Sequence, residues 1–230
     1  TGILNSSSGF TSTYVPLPEL RKVNVAFIAQ TGMFAGMMME MILSSQEFGL
    51  SKVAGLGNKC DLADHDMLPY LASDPETKVI MMHMEGIKDG PEFIRAARET
   101  TRHKPIIALK TARSDEGRRA ALSHTGSLSG SDEVIDAVLR QVGIIRAGDL
   151  EEMIDYAKIF SYQPLPAGPN TSIISMSGGA GVMAADACRQ FGLKLADLNP
   201  KSIKMMKSLM PEWANLGHPL DIEPLAETQG

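Results

Sequence analysis

Cysteine is scarce in this sequence, aromatic residues are few, and no long apolar run occurs anywhere. Two cysteines among 230 residues, Cys60 and Cys188, stand far apart, each with no second cysteine nearby. That argues against a disulfide framework and against a metal site. Cys188 falls within an apolar helical pattern and reads as a small core residue. A membrane span needs about 18 consecutive apolar residues, which the chain lacks, so no membrane partner is expected. Thr1-Gly2-Ile3-Leu4-Asn5 has no basic region followed by an apolar one, so it is not read as a signal peptide. A formal net charge of -5 gives no reason to expect nucleic acid, and any anion must be held by local features. The expected location is a reducing cytoplasm.

What is present is the composition of a globular chain, 43% hydrophobic and 21% charged, long enough for one large or two ordinary domains. Residues 1–20 are rich in Ser, Thr, Gly and Pro without a hydrophobic period, and read as a linker or docking arm. From residue 21 short apolar runs alternate with helical periodicity. Val23–Ala29, Lys52–Leu56, Val79–Met84, Pro105–Leu109 and Ile144–Arg146 read as strands. Met33–Phe48, Asp64–Ala72, Pro91–Thr101, Ser131–Val142 and Asp149–Phe160 read as helices, with Asp64 as the expected N-cap of the second. Near-continuous apolar strands separated by helices predict an α/β fold, a doubly wound parallel sheet covered on both faces, over 21–162. Residues 163–170, Pro- and Gly-rich, form a linker. The opening pattern then recurs over 171–230: strand Thr171–Met176, a glycine turn, helix Val182–Phe191, a possible strand Leu193–Leu198 and helix Ser202–Leu209. At about 60 residues this reads as the first part of a second such unit.

Each unit has a strand–glycine–helix turn. The first runs Ala29-Gln30-Thr31-Gly32-Met33-Phe34-Ala35-Gly36, the second Ser175-Met176-Ser177-Gly178-Gly179-Ala180-Gly181. Free backbone N–H groups and the positive end of a helix dipole suit such turns to a phosphate. Thr31 or Ser177 adds a hydroxyl donor. Neither turn is a G-x-G-x-x-G or P-loop fingerprint, and a single one is as well explained as a tight βα turn. Two in one chain, with a phosphoacceptor between them, shift the balance.

That acceptor is His124, in the segment Thr111–Gly130, which reads as a loop. The segment starts basic (Lys110, Arg113, Arg118, Arg119) and ends small and polar, with Ser123, Thr125, Gly126 and Ser127 around the histidine. Arg113–Arg119 reads as a solvated stretch. A neutral imidazole is a good nucleophile near pH 7 and needs a partner to fix its tautomer. Glu85 ends the third strand, on the sheet edge where doubly wound proteins hold ligands. Taken singly, most loop histidines are solvated and inert. His83 reads as a satisfied core or edge residue, His65 and His103 as surface residues, and His218 as part of a Gly-His-Pro turn. Met33, Met37 and Met41 form one helix face and read as core packing.

Taken together, Gly57-Asn58-Lys59-Cys60-Asp61, Met84-Glu85-Gly86, Leu122–Gly130 (LSHTGSLSG) and Ser131-Asp132-Glu133 resemble the NDP-forming acyl-CoA synthetases. That family includes ADP-forming acetyl-CoA synthetase and is related to succinyl-CoA synthetase. Gly217-His218-Pro219-Leu220-Asp221 resembles its Asn-Pro-Val-Asp turn, with His218 in place of Asn. The resemblance runs from about residue 20 onward. It implies a flavodoxin-like, succinyl-CoA synthetase-like domain carrying a phosphohistidine, followed by part of a second flavodoxin-like domain. His124 would carry the phosphoryl group and Glu85 would orient it, with Ser123, Thr125 and Gly126 supporting the loop. Gln30, Thr31 and Gly32 would form one phosphate-holding helix end, and Ser177, Gly178, Gly179 and Gly181 the opposing one. The first turn has Ala29 and Thr31 where the family usually has Ser-Gln-Ser-Gly, and Thr31 keeps the hydroxyl.

The implied reaction converts acyl-CoA, phosphate and ADP reversibly into carboxylic acid, CoA and ATP. No cofactor is held permanently; CoA, phosphate and ADP or ATP with Mg are substrates. The expected partners are CoA-binding and ATP-grasp domains or subunits of the same enzyme, in an oligomer, with this chain an internal piece or a subunit that acts only with them. An alternative is a ligand-sensing regulatory module of a protein acetyltransferase without ligase activity, against which the intact histidine segment argues. A third, an electron-transfer flavoprotein, is opposed by an aromatic content of 5% and the lack of an evident aromatic pair to sandwich a flavin.

Overall fold

A computed structural model of the chain describes residues 2–12, 24–32, 36–38, 40, 42, 49–125 and 130–228. The chain divides into two compact units, Thr1–Pro164 and Leu165–Gly230.

Unit one is built on β3 (Val25–Ala29), β4 (Lys52–Gly55), β5 (Val79–Met84), β6 (Ile106–Lys110) and β7 (Ile145–Ala147). All pair in parallel, in the order β4-β3-β5-β6-β7. Their apolar runs follow from burial on both faces. Val25, Phe27 and Ala29 pack with Met38, Ile42, Met153 and Ala157 on one side. Ala26 and Ile28 pack with Leu68, Leu71, Phe93, Ala97, Ile135 and Leu139 on the other. Each large side chain removed from water this way contributes about 1.5–3 kcal/mol before ordering costs. The second face is covered by α1 (Asp64–Ser73), α2 (Gly90–Thr101) and α4 (Asp132–Gln141), and the first by α5 (Leu150–Tyr162) with the helical residues around Met38. α3 (Asp115–Thr125) contributes to neither core. This is the doubly wound α/β architecture, a parallel sheet covered on both faces, that the sequence predicted.

Residues 2–12 correct the expectation of an arm. β1 (Gly2–Asn5) and β2 (Phe10–Thr11) form a hairpin, and β1 runs antiparallel to β4, pairing Leu4 with Val53. Leu4 reaches the core at 1% exposure. Ser6 donates to the Ser51 carbonyl, and Ser7 hydrogen-bonds Glu76. Glu76 and Asp74 in turn bind Lys52. Ile3, Leu4 and Phe10 scattered among serines carry no periodic signal, so the pairing was visible only in three dimensions.

Capping is largely local. Asp89 accepts from the Glu92 N–H, and Asp149 from the Glu152 N–H. Asp64 departs from its expected role. Ala63 is the N-cap of α1, with its N–H donated to Asp66, while the Asp64 carboxylate is buried against Lys59. The helix expected over 33–48 lies largely outside the described residues.

Unit two holds β8 (Asn170–Thr171), β9 (Ile174–Ser175), α6 (Gly178–Gln190), β10 (Lys194–Leu195), α7 (Pro200–Leu209), β11 (Leu220–Asp221) and α8 (Glu223–Thr228). β8 pairs with β10 and β9 with β11, both in parallel. Ser177 caps α6 by accepting from the Ala180 N–H. Gly181 admits Pro219 so closely that an added Cβ would lie 2.8 Å from the proline Cβ.

Candidate active site at the sheet switch point

The strand order decides where a site can form. From β3 the chain goes to β4 on one side, then crosses to β5 on the other, so β3 and β5 flank the point where the winding reverses. Loops leaving the carboxyl ends of these two strands diverge and leave a crevice there. Gln30 follows β3, and Glu85 follows β5.

The structure brings these two together. Gln30 Oε1 accepts from the Glu85 N–H at 2.8 Å and the Gly86 N–H at 3.4 Å, and Gln30 Nε2 donates to Glu85 Oε2 at 3.4 Å. Its own N–H is donated to the His83 carbonyl. Gln30 thus serves as a bracket for the carboxylate. Thr31 and Gly32 stand half-buried at the following helix start. Glu85 is 6% exposed.

Sequence reasoning missed the cations around this carboxylate. Lys59, left-handed at φ 57° and 2% exposed, donates to Asp64 at 2.5 Å and to the Gly86 carbonyl at 2.7 Å. Lys88 donates to the Lys59 carbonyl at 2.6 Å, closing a bracket behind Glu85-Gly86. Lys110 is 1% exposed and donates to the carbonyls of Thr111 and Ala112. Burial pulls its ammonium below the ordinary lysine range. His83 Nε2 lies 3.1 Å from Thr111 Oγ1, and burial, then the charges of Lys59 and Lys110, lowers its pKa to about 4. The buried ammonium groups at this strand edge are thus set against carboxylates, Lys59 paired with Asp64 and Lys110 in the field of Asp132 and Glu85. Their one available signal was Lys59 and Asp64 five residues apart, which resembles any surface pair.

The histidine segment differs from its reading as a loop. Residues 115–125 form α3, so His124 sits in a helix's last turn. Its stretch of alternating charges makes helical pairs: Arg118 with Asp115, and Arg119 with Glu116 at 3.2 Å, both i,i+3. The Gly117 N–H donates to Ser114 Oγ at 3.0 Å, starting the helix. Ser123 is exposed and donates to the Ala120 carbonyl. The side chains of His124 and Thr125, and Gly126 as a whole, lie outside the described residues. Ser177, Gly178, Gly179 and Gly181 belong to unit two, at the start of α6.

An apolar cavity of about 540 Å³ lies between the β1–β2 hairpin, β4 and α1, walled by Phe10, Leu56, Leu62 and Tyr70 among others. Gln30, Thr31 and Glu85 are not in its wall. Among the described residues no cluster of His, Cys, Asp and Glu could hold a metal ion, and no helix is long and apolar enough to cross a membrane.

A doubly wound parallel sheet with a bracketed carboxylate at its switch point defines the class. The chain belongs to the succinyl-CoA ligase like flavodoxin domain family, which it matches over residues 22–160, with a Ligase-CoA domain over residues 171–228. It is 41% identical to acetate–CoA ligase [ADP-forming] II of Archaeoglobus fulgidus, an alignment covering 100% of this chain and 34% of that protein. It is also 41% identical to the alpha subunit of acetate–CoA ligase [ADP-forming] II of Pyrococcus furiosus, covering 96% of this chain and 48% of that subunit. Its backbone matches the dinucleotide forming acetyl-coenzyme A synthetase 1 of Candidatus Korarchaeum cryptofilum, solved with phosphate and ADP. That match has a TM-score of 0.88 at 35% identity and covers 96% of this chain and 48% of that one. The chain thus spans between about a third and a half of these relatives.

Proposed function

We propose that this chain is the phosphoryl-carrying core of an ADP-forming acyl-CoA synthetase, with His124 as the carrier and Glu85 as the residue that orients it. The observation carrying this reading is the Gln30–Glu85 bracket at the switch point. Gln30 Oε1 takes the Glu85 and Gly86 N–H groups while its Nε2 donates to the Glu85 carboxylate, which at 6% exposure is thereby preorganised to meet an imidazole N–H. The names of the relatives support the reaction class.

In the proposed sequence phosphate attacks the acyl-CoA thioester, releasing CoA and leaving an acyl phosphate. An imidazole nitrogen of His124 then attacks phosphorus, the acyl C–O–P bridge breaks on the phosphorus side, and the carboxylate leaves. The nitrogen–phosphorus bond is finally broken by ADP, giving ATP. Thr31 and Gly32 offer donors to phosphate in unit one, and Ser177, Gly178, Gly179 and Gly181 offer a second helix start. CoA, phosphate and ADP with Mg act as substrates, with no resident cofactor. CoA-binding and ATP-grasp partners of the same enzyme supply the remaining contacts.

The test uses the complete enzyme and labelled acyl phosphate. Acid-labile, base-stable label should appear on His124 and vanish in His124→Ala together with ATP formation. Glu85→Gln should slow labelling on the order of a hundredfold while leaving the fold intact. Full labelling of His124→Ala ends the carrier assignment, and unchanged labelling of Glu85→Gln ends the orienting role.

A further inference from the structure

α3 is an unusual helix in this unit. None of its described side chains is buried, and Leu122, its one large apolar residue described, is 52% exposed. Its neighbours α2 and α4 insert Phe93, Ala96, Ala97, Ile135 and Leu139 into the core. Burial of an apolar face is what ordinarily fixes a helix to a sheet. With none, α3 depends on how its two ends are attached.

Both ends lead to one place. Before α3, Arg113 Nη1 donates to the Gly148 carbonyl at 3.2 Å, and its Nε lies 4.0 Å from Asp132 Oδ2. After the histidine segment, Asp132 is the first residue of α4, and Arg146 Nη2 donates to both its oxygens at 2.7 and 2.8 Å. Arg146 Nη1 also reaches Asp136 at 3.1 Å, one turn further along α4. The grip is set in rigid ground. Arg146 lies on β7, in register with Ala108 of β6, and α4 is nailed down by Ile135 and Leu139. The Arg146 side chain is 15% exposed, and its charge is already matched by two carboxylates, so the cluster is poorly suited to capture a free anion.

We propose that Arg146 is a positioning residue for phosphoryl transfer: by gripping Asp132 beside Arg113, it fixes the root from which the His124-bearing segment reaches its reaction partners. The role rests on His124 being the carrier. A segment with a fixed root samples few arrangements, so a larger fraction of them is productive. A loosened root spreads the same segment over more arrangements and dilutes the productive ones. The guanidinium matters because its planar fork directs Nη2 to Asp132 and Nη1 to Asp136 at once, a fixed geometry that an ammonium lacks.

The test is made in the complete enzyme with Arg146→Met, Arg146→Lys, Asp132→Asn and the Arg146→Met/Asp132→Asn double variant. Single-turnover labelling from acyl phosphate and discharge of the label by ADP should both slow about tenfold in Arg146→Met, because the same root positions His124 for both steps. KM for acyl-CoA and for ADP should stay within about twofold, since the root touches neither substrate. Arg146→Lys should recover part of the rate. The double variant should be no slower than the slower single one, the mark of residues acting as a pair. Trypsin should cut faster after Arg118 and Arg119 when the root is loosened. Wild-type labelling and discharge rates in Arg146→Met, multiplicative effects in the double variant, or a loss that only follows the fraction unfolded would each overturn the role. Absence of label on wild-type protein would instead sink the carrier reading, and this role with it.

Discussion

At the scale of single residues, the buried groups behind Glu85 make the protein's stability depend on pH. His83 is 2% exposed and its pKa falls to about 4, below the ordinary 6.5, because burial and two nearby lysines disfavour its charged form. Between those values the unfolded chain binds a proton that the folded chain refuses. Unfolding is therefore favoured as pH falls from 6.5 towards 4, and stability rises with pH across that window. Over the full window the loss is on the order of 3 kcal/mol, and between pH 7 and 5 about 2 kcal/mol. Urea unfolding at pH 7 and pH 5 should show this difference between wild type and His83→Gln, the variant having the flatter dependence. Equal slopes would mean that His83 is not held neutral. At pH 7 the ring is uncharged, so it adds nothing to the positive charge that Lys59 and Lys110 place at this edge.

At the scale of elements, α3 places His124 where a helix has its negative pole. The last carbonyls of a helix favour a cation and disfavour a phosphate, typically by about 0.3–1 kcal/mol at the surface. A phosphoryl group on His124 should therefore loosen the final turn, whose described side chains, Leu122 and Ser123, are exposed. Hydrogen exchange of the complete enzyme, charged with phosphate and uncharged, checks this. Amides of residues 122–125 should exchange about two- to fivefold faster in the charged form, while those of α2 and α4 stay as they were. Slower exchange on phosphorylation would show that new contacts to the phosphoryl group outweigh the dipole. The same element shows why its charges misled: Arg118 and Arg119 sit three residues after Asp115 and Glu116, a spacing that a solvated loop and a surface helix share.

At the scale of the whole chain, the two units differ in how much they bury. Unit one wraps both faces of its sheet, with Phe27, Ile28, Leu68, Met81 and Phe93 all at 0% exposure. In unit two the buried apolar residues include Ile173, Cys188, Met210 and Leu220 at 7–8%, while Met183, Phe191 and Trp213 remain 74%, 74% and 69% exposed. A piece of this size with so small a core has little to set against its conformational entropy. Produced separately, residues 1–164 should melt cooperatively, and residues 165–230 should show no sharp transition by circular dichroism. A cooperative melt of the smaller piece would show that its few buried contacts suffice.

The strands of unit one were legible as apolar runs because a sheet covered on both faces needs no polar alternation. Glu85 was legible because a carboxylate at a strand's end is a matter of local sequence. The β1–β2 hairpin was not, since Leu4 earns its place only by lying across β4. Nor was the contact of Gln30 with Glu85, a residue 55 positions away. The sequence by itself determined the order of unit one's parallel strands and the kind of residue at each strand end, properties that act over a few neighbouring positions. Only the tertiary structure decided that β3 lies between β4 and β5, and so which polar groups meet. Gln30 meets Glu85, Lys59 meets Asp64 and the Gly86 carbonyl, and Arg146 meets Asp132. Chain crossing, not spacing, brings these groups within hydrogen-bonding distance.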